Sequence, residues 1–294
     1  MKARQSIWLA IVFLIGTAPA LDADQPAKVI EVFESVHHGA HESDIRSPAE
    51  VGTAVNDGEY VQTGKLSRAA MELPSTSITR MGANTIFNYF ADSNLVDLQA
   101  GTILFCKPKD ARQLTIKTAA VMAGITGTTG FVKVEGEGSK KTYTFGIVEG
   151  SATATAAGRD YHVGAGDILE FRPPLQPILF AFDLPRFVKT SPLLTKFKKP
   201  LPNQSYIDGA VADYQNQVSR GFIQPPSRAI NYSGDIPTLS TAAYDSAMNS
   251  QGQSRGAPAS PPQQQLPPPA TTSSPVTSSP VTGGNNYPYG IPGR

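Results

Sequence analysis

The sequence has few cysteines, few tryptophans and few charged residues. Of 294 residues, 1 is Cys, 1 is Trp and 17% are Asp, Glu, Lys or Arg. A single Cys excludes an intramolecular disulfide, a cysteine-rich zinc site and an iron–sulfur cluster. The formal net charge of +1 provides no strong overall field for nucleic acid, so we expect no nucleic-acid partner. The 26 Gly and 25 Pro favour short strands, turns and a low-complexity segment over a helical bundle.

The N-terminus carries the three parts of a secretory signal. Lys2 and Arg4 precede an apolar run over residues 7–15, and small residues follow it up to Ala20. This order predicts export and cleavage after Ala20, so that residues 1–20 form a signal peptide. The alternative is a membrane anchor, but a span needs roughly 20 apolar residues and this run is shorter. Removing residues 1–20 leaves 23 basic and 24 acidic residues. We therefore expect a mature chain with no membrane span, in the periplasm or outside the cell.

A β-rich block follows a polar N-terminal segment. Residues 21–49 are polar and mixed, with a candidate short helix over Ala27–Ser35. From residue 50 to 172, short runs that alternate apolar and polar residues are separated by Gly, Asn, Asp and Ser. This pattern predicts an all-β domain of many short strands. The candidate strands are residues 59–63, 68–73, 77–81, 85–90, 96–98, 102–106, 113–118, 121–126, 131–135, 142–148, 151–156 and 167–171.

Prolines interrupt the segment after the β block. Residues 173–222 mix prolines with large apolar side chains, which predicts an extended strap packed on the β domain. Within this strap, Tyr206–Val218 has a helical apolar stripe. Asn203 or Ser205 could cap this short helix, and Gly221 lies just beyond its end.

The last part of the chain, residues 223–294, has low sequence complexity. Pro, Ser, Thr and Gln dominate from residue 251 onward. Such a segment buries too little apolar surface to offset its ordering entropy, so we expect a disordered tail. Its expected role is that of a tether or a site of weak multivalent contacts.

Three of the four histidines lie close together in the sequence: His37, His38 and His41. On a helix, His37 and His41 would share one face at a spacing that suits zinc or copper. The alternative is a solvated polar segment, because Gly39 weakens a helix and the spacing places no fourth ligand. We assign no metal ligands, and metal handling stays an alternative function.

Two glycine-rich segments do not match nucleotide-binding motifs. Gly124–Gly130 fits neither the dinucleotide fingerprint nor the P-loop, so we expect a tight turn or a bulge between two strands. Gly136–Lys140 predicts a hairpin loop. We therefore expect no cofactor.

No set of residues forms a recognisable catalytic centre. His162 is the one histidine in the β block, and its turn-like surroundings favour a surface position over a role as general base. Cys106 lies in an apolar run, which is typical of a buried residue and not of a nucleophile. The carboxylates Glu149, Asp167 and Glu170 are scattered, so they define no acid and base pair. We expect the protein not to be an enzyme.

The strap also carries a run of basic residues interleaved with two phenylalanines. One interpretation is a contact with a phosphate-rich or anionic envelope polymer. The other, which we favour, is a solvated face of the strap. The residues are Arg186, Phe187, Lys189, Lys196, Phe197, Lys198 and Lys199.

The β block resembles the FecR domain, a periplasmic all-β module of bacterial envelope proteins. The resemblance covers residues 50–172 and depends on the order and spacing of several short motifs, each weak alone. They are Val61-Gln62-Thr63-Gly64, Ser67-Arg68-Ala69, Leu73-Pro74, Ser77-Ile78-Thr79-Arg80-Met81-Gly82, Asn84-Thr85, residues 96–105, residues 114–119, Gly127-Thr128, Val148-Glu149-Gly150-Ser151-Ala152 and Val163-Gly164-Ala165-Gly166.

The resemblance implies a compact β-solenoid-like or sandwich-like domain. In the best-known members, this module is the periplasmic part of a transmembrane sigma-factor regulator and senses the signalling domain of an outer-membrane iron–siderophore transporter. We expect this chain to lack the cytoplasmic segment and the transmembrane helix of those regulators. The family supplies no catalytic residues.

These observations lead to three functional hypotheses. The first is an exported, non-enzymatic binding or scaffold protein of the bacterial cell envelope whose FecR-like domain recognises a protein or glycan partner. The second is an accessory periplasmic component of a transmembrane signalling system of the sigma-factor or iron-uptake type. The third is a metal-handling protein that uses the histidine cluster.

Overall fold

The structure is a computed structural model that describes residues 25–74, 76–223, 230–232 and 234–254, with side chains up to residue 249. The expected signal peptide and the chain after Ser254 lie outside these residues. Short strands dominate the described chain, and helices follow them near its end. The prediction of an all-β domain of many short strands is confirmed.

In the part of the chain that the structure describes, seventeen strands precede the first α-helix. The N-terminal nine are β1 (Ala27–Phe33), β2 (Val36–Gly39), β3 (Ser47–Pro48), β4 (Ala54–Val55), β5 (Tyr60–Thr63), β6 (Arg68–Glu72), β7 (Ile78–Met81), β8 (Ile86–Phe90) and β9 (Leu95–Cys106). The next eight are β10 (Leu114–Lys117), β11 (Val121–Ile125), β12 (Thr129–Glu135), β13 (Thr142–Glu149), β14 (Ser151–Ala156), β15 (Arg159–Gly164), β16 (Asp167–Phe171) and β17 (Ile178–Ala181).

Hydrogen bonds join these strands into two layers that share β9. Layer A has the order β4-β1-β6-β7-β9-β12-β13-β16-β17. Layer B has the order β3-β2-β5-β8-β9-β10-β11-β14-β15. Among the described strands, β9 and β10 pair in parallel and the other strand pairs are antiparallel. The sandwich-like form of the expected fold is the one observed.

Gly101 is the corner at which β9 passes from one layer to the other. Ala100 still pairs with β8 in layer B, whereas Gly101 already pairs with Val134 of β12 in layer A. The φ of Gly101 is 85°, and a Cβ at this position would lie 2.4 Å from Cα of Thr85. Only glycine fits such a corner, because it tolerates positive φ and close backbone approach.

Two apolar cores lie on the two faces of layer A. The inner core lies between the layers and includes Met71 and Phe145 of layer A with Phe87 and Leu98 of layer B. The outer core lies between layer A and the C-terminal segment. It contains Leu104, Cys106, Phe131, Val148, Ile168, Phe182, Leu184, Phe187, Leu193, Leu201, Ile207, Tyr214 and Ile236. Burial of both faces explains why β9, β12 and β13 each contain a run of at least four consecutive buried residues.

The C-terminal segment covers layer A with short helices. They are α1 (Leu184–Thr190), α2 (Pro192–Thr195) and α3 (Gln204–Ser219), and after the two-stranded pair β18 (Ile230–Asn231) and β19 (Thr238–Leu239) comes α4 (Thr241–Ser254). Asp183 caps α1, since its carboxylate accepts the Arg186 N–H at 3.0 Å. Part of the expected extended strap is therefore helical, and the predicted helix over Tyr206–Val218 is confirmed as α3.

The candidate helix over Ala27–Ser35 is wrong. This stretch forms β1, which pairs with β6 and β4 in layer A. Its β-branched residues Val29, Ile30 and Val32 suit a strand, and long-range pairing outweighs the local helical pattern. Residues 27–48 thus belong to the two layers and are not a separate polar segment.

The expectation of disorder from residue 223 is wrong for residues 230–232 and 234–254. Ile236 and Tyr244 are buried, and the Tyr244 hydroxyl donates to the Gln176 carbonyl at 2.9 Å. The guanidinium of Arg172 lies 4.2 Å from the centre of the Tyr244 ring. A few well-placed aromatic and aliphatic anchors stabilise a segment whose average composition is polar.

None of the described helices has both the length and the apolar character that a bilayer crossing requires.

Candidate functional site

A cleft of about 410 Å³ opens between α3 and the edge of layer A. One wall consists of the turns that follow β13 and β15. The other wall is one side of α3, and Ile223 closes the end of the cleft. The lining residues are Glu149, Gly150, Ala165, Ser205, Tyr206, Gly209, Ala210, Asp213, Tyr214, Gln217 and Ile223. We refer to this site as the α3 cleft.

Gly166 fixes the distance between α3 and layer A. A Cβ at this position would lie 3.3 Å from the Tyr214 ring, and the φ of Gly166 is 88°. Glycine therefore permits both the turn into β16 and the close approach of α3. The Tyr214 hydroxyl is buried and has no hydrogen-bond partner among the described residues. Burial raises the pKa of Tyr214 to about 12, so its phenol stays protonated.

Glu149 is the most buried acidic group of the α3 cleft, with 5% of its surface exposed. It lies at the end of β13. Its Oε2 accepts from the Asn203 side-chain amide at 3.2 Å and from the Thr129 hydroxyl at 3.3 Å. Burial raises the pKa of Glu149 above its ordinary 4.5, while these hydrogen bonds and the charge of Lys109 oppose the rise.

The Asn203 side chain does not cap α3, although Asn203 occupies the capping position. Its amide donates into layer A instead, to Glu149 and to the Lys107 carbonyl at 3.1 Å. The expectation that the Asn203 side chain caps this helix is therefore wrong. The long-range hydrogen bonds satisfy buried acceptors that would otherwise be unpaired.

Tyr206 forms the exposed rim of the α3 cleft. Half of its surface (50%) is accessible. Lys109 Nζ lies 4.4 Å from the centre of its ring, in the geometry of a cation–π contact. An aromatic ring and two carboxylates, Glu149 and Asp213, thus surround one cavity.

A second buried polar group, Arg80, holds the strap against layer A. Arg80 is 2% exposed, and its guanidinium donates to the carbonyls of Leu193 at 2.8 Å and Lys199 at 2.5 Å. It also lies 4.6 Å from the centre of the Phe197 ring. Glu31 of β1 accepts the backbone N–H groups of Lys198 and Lys199 at 2.9 and 3.0 Å. No sequence motif predicts these roles of Arg80 and Glu31, because their hydrogen-bond partners in the strap are backbone atoms more than 100 residues away.

In the basic run of the strap, the two phenylalanines pack against the protein and the basic side chains face solvent. Phe187 is buried in the outer core, and Phe197 packs under Arg80. The side chains of Arg186, Lys189, Lys196, Lys198 and Lys199 are exposed. This arrangement agrees with a solvated face, and binding of an anionic polymer stays a hypothesis.

The histidine cluster does not form a helical face. His37 and His38 are successive residues of β2, so their side chains point to opposite sides of layer B. His38 Nδ1 lies 3.8 Å from Glu59 Oε2, and His41 precedes the turn at Glu42–Asp44. The described residues contain no group of three or more His, Cys, Asp or Glu side chains placed to hold a metal ion. The helical spacing considered for His37 and His41 is therefore wrong.

The remaining residues considered for catalysis lie on different strands. Cys106 is buried in the outer core, and burial raises the pKa of its thiol above 9.0. His162 is exposed on β15, a strand that the sequence analysis interpreted as a turn. Glu170 is buried and its carboxylate accepts from Arg172, which also donates to the Leu239 carbonyl at 3.1 Å. Glu170 therefore helps to hold the C-terminal segment.

Both glycine-rich segments are turns, as expected. Gly124–Gly130 connects β11 to β12, with a φ of 103° at Gly127 and a register shift beside Thr129. Gly136–Lys140 is the loop of the β12–β13 hairpin and contains a short 3₁₀ turn. Neither segment lies between a strand and a helix.

Part of this two-layer fold matches a known protein family. Residues 59–153 match the family described as FecR protein. The chain contains a FecR domain. The matched stretch begins just before β5 and ends within β14, so it includes Glu149 and Gly150 but not α3. The matched residues thus supply part of one wall of the α3 cleft, and the chain after them supplies the rest of that wall and the other wall. No curated protein matches the chain.

Two solved structures resemble part of this FecR-domain chain, and both are described as a "putative anti-sigma factor" from Parabacteroides distasonis ATCC 8503. The structure at 1.65 Å is 12% identical over 42% of this chain, with a TM-score of 0.38, and this chain spans 59% of it. The structure at 2.50 Å is 9% identical over 61% of this chain, with a TM-score of 0.37 and 97% of it covered.

Proposed function

We propose that this chain is an exported, non-enzymatic recognition protein of the bacterial cell envelope. Its FecR domain binds an envelope protein, and this contact serves a transmembrane signalling system. The match of residues 59–153 to the FecR family carries the proposal. The chain itself acts as an accessory that presents a binding surface to a separate membrane protein.

The α3 cleft is the surface that this function uses. It lies where the FecR domain meets its C-terminal segment, so an occupant touches both parts at once. Glu149 reaches it from β13, and Asp213 and Tyr206 reach it from α3. A rigid two-layer scaffold behind the cleft supports recognition without a large rearrangement.

The surroundings of Cys106 and His162 support a binding role over an enzymatic one. The buried Cys106 thiol has a raised pKa, which disfavours the thiolate that a nucleophile needs. His162 is exposed on β15 and lies outside the lining of the α3 cleft. The groups that line the cleft are suited to hydrogen bonding and charge recognition.

In-cell cross-linking of the full chain, followed by identification of the adducts, tests the proposal. Capture of a discrete envelope protein is the expected result. The variant Gly209→Leu fills the α3 cleft and should lose this adduct. Thr153→Leu, on the exposed side of β14 in layer B, is the matched control and should keep it. Capture of only peptidoglycan or surface polysaccharide would overturn protein recognition and favour a structural envelope role.

A further inference from the structure

The lining of the α3 cleft is acidic. Among its described lining residues, Glu149 and Asp213 are carboxylates and no residue is Lys or Arg. The Lys109 ammonium lies at the rim of the cleft, over the ring of Tyr206. A cavity lined by two carboxylates favours a positively charged group over a neutral or anionic one.

A buried hydroxyl in the α3 cleft is available to a ligand. Tyr214 lines the cleft and is 6% exposed, and its hydroxyl has no hydrogen-bond partner among the described residues. The hydroxyl oxygen can accept from a cationic N–H donor. Glu149, which is 5% exposed, adds a buried negative charge that such a cation would balance.

Gly209 leaves room for such a group. A Cβ built on this residue would meet no atom within 4 Å, so the space in front of the helix is open. Glycine in a helix costs about 0.5–1 kcal/mol relative to alanine. Glycine at this lining position therefore adds no side chain to the cleft of about 410 Å³, at the expense of helix propensity.

The aromatic rim suits a cation as well. Tyr206 already has the Lys109 ammonium 4.4 Å from its ring centre. An aromatic ring beside two carboxylates provides both cation–π and ionic attraction. The described lining residues include no Lys, Arg or His side chain that would balance the charge of a phosphate or a carboxylate ligand.

We infer that the α3 cleft binds a primary ammonium or guanidinium group at the end of an aliphatic arm. In the proposed function this group is a Lys or Arg side chain of the partner protein, and to that extent the site rests on the proposed function. A free aliphatic diamine presents the same chemistry and is the other possible source of the cation.

Calorimetric titration of the mature chain tests the site with defined probes. The probes are a short acetylated peptide with a central Lys, the same peptide with Arg, the same peptide with norleucine, and 1,5-diaminopentane. We expect saturable binding of the Lys and Arg peptides and binding at least about tenfold weaker for norleucine. Tighter binding of the peptides assigns the cation to a protein, and tighter binding of the diamine assigns it to a small amine. Equal affinity for Lys and norleucine, or no saturable binding of any cation, would overturn the inference.

Matched variants separate the charge of the cleft from its fold. Glu149→Gln and Asp213→Asn should each weaken cation binding about tenfold, and Gly209→Leu should abolish it. Asp208→Asn removes the same charge from an exposed position of the same helix and should have no effect. Lys109→Met removes the competing cation and should strengthen binding of the Lys peptide. Unchanged affinity in Glu149→Gln and Asp213→Asn, with a native melting curve, would contradict the site.

The two proposals fail separately. If no cationic probe binds but cross-linking still captures an envelope protein, the cation site is wrong and the recognition function stands. If the cationic probes bind as expected and no partner is captured, the site stands and the recognition function is wrong.

Discussion

Asn203, the residue before α3, donates its side-chain amide to Glu149 at the end of β13, 54 residues earlier in the chain. This bond joins the helix that forms one wall of the α3 cleft to the strand that forms the other. The same amide contacts the Lys107 carbonyl and the Thr129 hydroxyl, so one side chain links α3 to three segments of layer A. The position of α3 on the FecR domain therefore depends on polar contacts as well as on the outer core.

Asn203→Ala tests this link. The substitution leaves the Lys107 carbonyl and part of the Glu149 carboxylate without donors in a buried site. We expect the free energy of unfolding to fall by about 1–3 kcal/mol, measured by urea denaturation. Asn216→Ala, at an exposed position of α3, is the control and should change stability little. Equal effects of the two substitutions would show that Asn203 contributes only helix propensity.

Glu149 makes the stability of the chain depend on pH. Burial raises its folded-state pKa above the ordinary 4.5, so the folded state holds a proton that the unfolded state releases. The contribution of Glu149 to the free energy of unfolding is therefore largest below pH 4.5 and declines as pH rises through the folded-state pKa. Hydrogen bonds from Asn203 and Thr129 and the charge of Lys109 limit this decline.

A pH series of urea unfolding curves for the wild type and Glu149→Gln measures the decline. Glu149→Gln should show a flatter dependence of stability on pH than the wild type in this window. Glu137→Gln, in the exposed β12–β13 hairpin loop, should follow the wild type. A Glu149→Gln curve parallel to the wild-type curve would show that Glu149 is not the group responsible.

Arg80→Met tests the attachment of the strap to layer A. Methionine keeps much of the apolar volume but donates no hydrogen bonds to the carbonyls of Leu193 and Lys199. Since the arginine is buried and faces Glu31, its loss also leaves a carboxylate without its nearby positive charge. We expect the free energy of unfolding to fall by about 3–5 kcal/mol.

Limited trypsin digestion should reveal the same loss locally. Cleavage after Lys196 or Lys198 should be faster in Arg80→Met, because the strap opens more often. Arg159→Met, at an exposed position of β15, serves as the control and should be cleaved at these lysines as slowly as the wild type. An unchanged digestion pattern in Arg80→Met would mean that the outer core alone holds the strap.

Substitutions of Tyr244 test whether α4 packs against the β domain. Its ring is fully buried, and its hydroxyl donates to the Gln176 carbonyl. Tyr244→Ala should lower the free energy of unfolding by about 3–5 kcal/mol, as for other buried aromatic residues. Tyr244→Phe keeps the ring and should cost about 1 kcal/mol, the net value of one hydrogen bond. A loss below about 1 kcal/mol in Tyr244→Ala would favour the disordered segment expected from the sequence.

Local patterns in the sequence were enough to find the strands that alternate cleanly. The twelve candidate strands correspond to β5 to β14 and β16, with β9 divided in two at Gly101. The division was natural, because a glycine between two apolar runs resembles a turn. Only the pairing with two different layers shows that the chain continues as one strand through this corner.

The missed elements depend on distant partners. β1 alternates poorly because Glu31 is buried, and that burial makes sense only once Glu31 is seen to accept two backbone N–H groups of the strap. The helix α4 lies in a polar segment that two anchors, Ile236 and Tyr244, hold in place. The α3 cleft was not predicted, since Glu149 and Asp213 lie 64 residues apart and neither belongs to a known motif. The signals that existed were Gly209 inside a helical stripe and Asn203 before it.

Site-specific photo-cross-linking in living cells tests the central claim most directly. A photoreactive residue replaces Gln217, at the rim of the α3 cleft, and in a parallel strain it replaces Thr153, on the exposed side of β14. We expect an adduct with one discrete envelope protein from position 217 and none with that protein from position 153. An adduct from position 153 alone, or no protein adduct from position 217, would contradict recognition through the α3 cleft.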